Sequence, residues 1–421
     1  MESVTPLWHA ISPLLNSIGI RVATDSVLGM WITYIVCAGI LAFGLSMLVA
    51  YSVLLERKVA GFIQERPGPN RAGPWGLLQP IADVAKLLFK EDIIHDAADK
   101  PAFKLAPFFA FVGPVMILVA VPFGPGIQMS AYATGLLMVL GFSGLAVIGI
   151  LTGGYASNSK FSLIGGLRAA SQMITYEVPL ILAVLAAAMV AGSFELGKIV
   201  DWQTGGLMLA FVQPVGFILF LICMIAETNR TPFDIPEGES EITGGYHTEY
   251  SGIRFGMFFL GEYTALLSFS ALGAVLFLGG WNGPPAIADF TAAKLSFGIV
   301  YSGIIWTAII ALMIGTAFFA LRQYRRTGEF FGLVIICLAG LVFIGMHVAG
   351  SALGGTFLLQ WPFVWLCIKI FFLVFVALLF RWTFLRLRVD QLTSFSWKFL
   401  FPLAIVNLFV TAILILLFEG K

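Results

Sequence analysis

Long apolar stretches separated by short charged loops dominate the sequence. Crossing the hydrocarbon core of a bilayer takes about 20 apolar helical residues. Ten segments reach that length, at about 28–54, 104–122, 133–153, 163–191, 206–226, 253–279, 298–321, 329–352, 361–385 and 398–418. An even number of spans places both termini on one side. Of the 24 Lys and Arg residues, nineteen fall in loops on one side, eight of them between the first two spans, from Arg57 to Lys104. The opposite side holds Arg21, Lys198, Lys294 and Lys421, while Lys369 lies within a span. Positively charged loops stay in the cytoplasm, so the termini face outward. Within the first loop, a helical reading of Gln79 to Lys90 puts Ile81, Val84, Ala85 and Leu88 on one face and Asp83, Lys86 and Lys90 on the other. That pattern suits a helix lying along the membrane interface. The expected fold is an all-α, polytopic transmembrane helix bundle with interfacial amphipathic helices.

Composition supports this picture and narrows the chemistry. With 59% hydrophobic and 11% charged residues and a mean hydropathy of +0.95, the chain belongs in a bilayer. A net charge of +1 gives no footing for nucleic acid. The first apolar run is too long for a signal-peptide core and reads as a retained span. The cysteines Cys37, Cys223, Cys337 and Cys367 and the histidines His9, His95, His247 and His347 are scattered. They match no metal, haem or iron–sulfur ligand pattern, so no redox centre is expected in this chain. No internal repeat is visible, which weakens a stand-alone proton-coupled carrier as a reading.

Four places could carry chemistry. In the first loop, the prolines and glycines between Pro67 and Gly76 forbid a continuous helix and favour a stiff path bearing Arg66, Asn70 and Arg71. Together with Glu56, Arg57 and Asp83 this forms a candidate entry for a polar headgroup arriving from the membrane; a positive-inside anchor is the simpler alternative. The second place is Glu177, near the middle of the fourth span, where an ionisable group faces a bundle interior or wet cavity. Arg168 lies about two and a half turns earlier, on the opposite helical face, and cannot be its local partner. The third is "ETNRTPFDIPEGESEITGGYHTEY", in which Glu227, Asp234, Glu237, Glu239, Glu241 and Glu249 face one internal cation, Arg230. Crowded carboxylates at low dielectric raise one another's proton affinity and can exchange protons near neutrality. Phe233, Ile235 and Ile242 among the charges, and Pro232, Pro236 and Gly238, argue against a merely solvated loop. The fourth is Glu262 in the sixth span, beside Tyr263. Lys369, near a helix end, is a weaker candidate because it can snorkel to the interface.

The first loop, "SNSKFSLIGGLRAASQMITYEV" and "ETNRTPFDIPEGESEI" resemble the three signature regions of the H subunit of bacterial NADH:quinone oxidoreductase, respiratory complex I. The tail "RWTFLRLRVDQLTSFSWKFLFPLAIVNL" is similar to that family's C-terminal region. The resemblance implies a translocase subunit in the bacterial inner membrane, with periplasmic termini, that forms much of the quinone-access chamber where the membrane arm meets the peripheral arm. Quinone, ubiquinone or menaquinone, would be the substrate. FMN and iron–sulfur clusters would sit in partner subunits, and the other partners would be antiporter-like membrane subunits and lipids. Carried over by motif, Glu56, Arg57, Arg66 and Asp83, with Lys86 nearby, would line the chamber. Glu227, Arg230, Asp234, Glu237, Glu239 and Glu241 would form a charged path that Glu177 and Glu262 continue toward the pumping subunits. The family has eight spans, so two are read as an insertion, giving a membrane domain over 1–280, an inserted pair over 281–360 and a C-terminal pair over 361–421. The membrane subunit of energy-converting nickel–iron hydrogenases resembles the same family and stands as the alternative.

Overall fold

A computed structural model describes residues 27–124, 132–204, 208–236, 238–282 and 362–419. The described helices are α1 (Val27–Ile63), α2 (Gln79–Phe89), α3 (Lys100–Ala120), α4 (Gly135–Ala156), α5 (Lys160–Ala191), α6 (Leu196–Thr204) and α7 (Leu209–Val212). They continue with α8 (Pro214–Glu227), α9 (Glu239–Ile242), α10 (Gly252–Phe277), α11 (Pro362–Thr383), α12 (Val389–Phe395) and α13 (Phe401–Glu419). The backbone divides into two compact units: a larger one of residues 1–53, 80–280 and 366–421, and a smaller one of 54–79 and 281–365.

Six described helical stretches are long and apolar enough to cross a bilayer: α3, α4, α5, α10, α11 and the run Val389–Leu417, which joins α12 to α13 through a π-helical turn at Ser396–Leu400. These match six of the expected spans, and the expected first span falls within α1, a helix of 37 residues. The seventh and eighth expected spans, with the insertion they define, lie outside the described residues.

The expected fifth span, about 206–226, is not one continuous helix among the described residues. The helix breaks at Gln213, with φ −129° and ψ 66°, because Pro214 has no N–H to continue the ladder. The helix beyond the break, α8, has 14 residues, which at 1.5 Å per residue is about 21 Å, short of a hydrocarbon core of about 30 Å. Gln213 fills the break with its side chain, whose Nε2 donates to Ala186 O at 3.2 Å and Thr411 Oγ1 at 2.6 Å.

In the larger unit α3 packs on α4, α4 on α5, α5 on α8 and α13, and α10 against α3 and α8. Helix α10 is central: 83% of its apolar window is buried, against 17% for Val389–Leu417, whose Phe409, Ile413, Leu416 and Leu417 face outward. Lipid tails give no hydrophobic drive for helices to associate, so close packing of small residues has to hold them together. At Gly149 of α4 a Cβ would come within 2.7 Å of Ala110 Cα on α3. At Gly261 of α10 one would lie 3.0 Å from Ala110 O. Ala110 is therefore enclosed between two glycines from different helices.

Gly149→Ala tests this contact with a clear sign. In an exposed helix the change stabilises by about 1 kcal/mol. Here the overpacking should cost about 1–3 kcal/mol and lower the thermal midpoint in detergent. An equal or higher midpoint would contradict the close approach.

Candidate functional site

The first loop divides between the two units. In the smaller unit, Lys58 Nζ donates to Asn70 Oδ1 at 2.9 Å, Arg66 N–H to Gly61 O at 2.9 Å, and Arg66 Nε to Gln64 Oε1 at 2.6 Å. Glu56 is buried, whereas Arg57 and Arg66 are exposed. The proline- and glycine-rich part is helical only in a 3-10 turn at Pro74–Gly76, in keeping with the expected turn-rich path. Asp83 and Lys86 belong to the larger unit, on α2. There Ile81, Val84 and Leu88 are exposed, forming the outward apolar face the sequence predicts. The end of α2 is fastened to the start of α10: Arg254 holds Asp92 through two contacts of 3.0 Å, and Ile93 N–H donates to Ser251 Oγ at 3.0 Å.

The acidic loop is gripped from two sides. Helix α5 contributes Gln172, whose Nε2 donates to Ala226 O at 2.7 Å and Asn229 Oδ1 at 3.1 Å, and Ser162, whose hydroxyl donates to Tyr246 O at 2.8 Å. Gly165 of α5 lies against the backbone of Gly245 and Tyr246, where a Cβ would meet it at 2.6–2.7 Å. The last turn of α11 and the segment between α11 and α12 grip the other side. Thr231 Oγ1 donates to Arg381 O at 2.6 Å, Leu387 N–H to Pro232 O at 3.0 Å, and Arg386 Nη2 to Ile235 O at 3.1 Å. Phe233, Ile235 and Ile242 are buried as expected, with Phe233 edge-on to Tyr176 at 5.2 Å.

Beneath this loop α8 and α10 meet at a cavity of about 20 Å³. Glu227, Asn229, Tyr246 and Glu262 supply its polar lining, with Ala110 and Phe258 among the apolar walls. Room of this size accommodates about one water molecule. Tyr246 donates its hydroxyl to Glu262 Oε1 at 3.3 Å. Glu227 is 3% exposed, and its Oε2 has no hydrogen-bond partner among the described residues. Arg230 lies over the Tyr263 ring, 4.2 Å from its centroid. Glu177 accepts a hydrogen bond from Ser143 Oγ at 2.7 Å and lies within electrostatic reach of Glu227.

Burial is therefore graded: Glu241 is exposed, Asp234 half-buried and Glu227 buried. Glu237 and the side chain of Glu239 lie outside the described residues. Arg230 is the one cation within the acidic segment itself, and the fold adds others from elsewhere in the chain. Arg168 reaches Glu241 at 2.7 Å, and Arg386 and Arg388 act on the same carboxylate. Arg168 is thus committed away from Glu177, as the helical geometry requires. Lys369 is half-buried, and its Nζ donates to Gly280 O, just beyond the end of α10, at 2.8 Å. Among the described residues no group of His, Cys, Asp and Glu is placed to hold a metal ion.

Tyr246, Gln172, Ser143 and Arg386 escape a reading of the sequence because their partners are remote along the chain. The Gly244–Gly245 pair beside Tyr246 was the one available signal, since glycine permits the close approach to α5.

The family model described as NADH dehydrogenase matches residues 36–412. The H subunit of NADH-quinone oxidoreductase from Bacillus cytotoxicus is 41% identical over 378 residues, covering 90% of this chain and 92% of that protein. Proteins of the same name from Geobacillus sp. (strain WCH70) and Bacillus thuringiensis subsp. konkukian are 40% and 41% identical over 388 residues, covering 91% of this chain and 95% of each.

The hydrogen bond from Arg168 holds the Glu241 carboxyl below its ordinary value of 4.5, helped by the charges of Arg386 and Arg388. A carboxyl group with a lowered folded-state value stabilises fully above its unfolded value and loses that contribution as pH falls through the folded one. Arg168→Gln should therefore lower the thermal midpoint slightly at neutral pH and low salt, the pair being partly exposed. The difference from wild type should shrink as the pH falls below 4.5. A gap of constant size at every pH would contradict the pairing.

Proposed function

The chain belongs to the NADH dehydrogenase family, with the H subunits of NADH-quinone oxidoreductase, and from that premise we propose that it couples quinone reduction to proton translocation through its acidic loop. It is a membrane subunit of this enzyme complex. In the proposed assembly it forms the quinone-access chamber where the membrane arm meets the peripheral arm, in the bacterial inner membrane with periplasmic termini. Electrons reach the quinone from FMN and iron–sulfur clusters in partner subunits.

Reduction of a quinone by two electrons also takes up two protons, so any chamber group that gives up such a proton becomes more negative until it is reprotonated. Glu56, Arg57, Arg66, Asp83 and Lys86 are proposed to line the chamber and orient the headgroup. Glu227, Asp234, Glu237, Glu239 and Glu241, with Arg230, carry the change inward; Glu177 and Glu262 pass it toward antiporter-like subunits. The observation that supports this most is the cavity that brings Glu227 of α8 and Glu262 of α10 together under Tyr246. A water in that space can exchange hydrogen bonds with both carboxyl groups, and the pair can share a proton. Carboxyl groups so close titrate as a set, so the response belongs to the cluster and not to one residue. Arg230, held over Tyr263, places a fixed positive charge beside the residue that follows Glu262.

Membership of this family leaves no role for a stand-alone carrier, and none of the observed contacts favours a hydrogenase subunit over the quinone-linked enzyme. Glu227→Gln and Glu262→Gln, each in the assembled complex, should reduce quinone reduction and proton pumping together, by roughly tenfold or more. NADH oxidation by an artificial acceptor that bypasses quinone should stay unchanged, showing that the complex is intact. Full quinone-linked pumping in both variants would overturn the assignment.

A further inference from the structure

The last turn of α11 and the segment between α11 and α12 make three hydrogen bonds with the acidic loop. Two of them involve no guanidinium group and fix the backbone alone. The third is different in kind. Arg386 is half-buried, donates to Ile235 O at 3.1 Å, and lays its guanidinium against Gly238, where a Cβ would fall 2.9 Å from both Cζ and Nη1. Only a residue without a side chain admits the group this close. In the sequence Gly238 stands between Glu237 and Glu239, so the contact puts a permanent charge on the backbone between two of the acidic residues.

We propose that Arg386 is a positioning residue for the coupling reaction: its charge, laid on the Gly238 backbone, holds the acidic loop in the arrangement in which its carboxylates exchange protons. This rests on the reading of the loop given above. An arginine suits the place because its flat, always-charged guanidinium can donate to a carbonyl and stack against the backbone at once. The charges that face Glu241 besides Arg386 are Arg168 from α5 and Arg388 from the same segment as Arg386. Arg168 is bonded directly to Glu241, which leaves Arg386 as the cation seated on the loop backbone.

The test uses the whole complex in membrane vesicles and the pH profile of quinone reduction. Removing the charge makes nearby carboxylates hold protons more tightly. Arg386→Gln should therefore move the profile to higher pH, by about half a unit in this partly exposed setting, and lower kcat about threefold with little change in KM. Arg386→Lys, which keeps the charge but not the flat stacking group, should show a clearly smaller shift than Arg386→Gln. Gly238→Ala should reproduce the shift with Arg386 still present, because the new Cβ displaces the flexible guanidinium; it also keeps the test intact if Arg386→Gln prevents assembly. Wild-type profiles in both Gly238→Ala and every assembled Arg386 variant, or a lysine variant as shifted as the glutamine one, would overturn the proposal. Glu227→Gln in the same vesicles separates the two readings. Full activity there removes the coupling role of the loop, whereas a loss there beside unshifted Arg386 and Gly238 variants removes only the role of Arg386.

Discussion

A carboxyl group inside a bilayer must be given partners or a proton, because no solvent is at hand to stabilise its charge. The larger unit is arranged around that requirement at Glu227. Helix α8 ends on it, and the loop after α8 folds back over it. Glu262 and Tyr246 share its cavity, while Glu177, Ser143 and Gln172 come from the two helices behind. Bringing this many elements to one place needs thin helix contacts, and Gly149, Gly165 and Gly261 provide them. The packing and the site are thus consequences of the same constraint.

The charges form a gradient of environment. At the surface end, Glu241 is ionised and held by Arg168, with Arg386 and Arg388 close by. Inward, a buried arginine, Arg230, lies over Tyr263, while the contacts made to Glu262 and Glu177 themselves are hydroxyl groups from Tyr246 and Ser143. Hydroxyls donate to a carboxylate and accept from a carboxylic acid, so they tolerate either protonation state where an arginine favours one. Hydroxyl contacts of this kind suit the proposed role of the inner carboxyl groups, which is to load and unload protons. The central position of α10 joins the two ends: Arg254 ties its start to the interfacial helix α2, and Glu262 sits in its buried middle.

The spans were legible because a run of about 20 apolar residues has few alternatives to crossing a membrane. The break before Pro214 was not: hydropathy averages over the Gln213 side chain that fills the gap, and the proline alone could have been a kink. Helical geometry correctly separated Arg168 from Glu177, yet could not say that Arg168 reaches Glu241, 73 residues away. The same limit hid Arg386, whose contacts lie 151 residues back. For Lys369 the place near a helix end left both readings open, and only the fold shows the Gly280 carbonyl that its amine meets. Residue type marked which side chains carry charge; only the fold could assign the partners.

The central claim is that quinone reduction changes the protonation of the buried carboxyl cluster around Glu227. Infrared difference spectra of the complex, recorded between its oxidised and quinone-reduced states, read this directly through the carboxylic C=O stretch. The account predicts a band change in that region that is lost or displaced in Glu227→Gln and altered in Glu262→Gln. Carboxyl bands identical in wild type and both variants would contradict it.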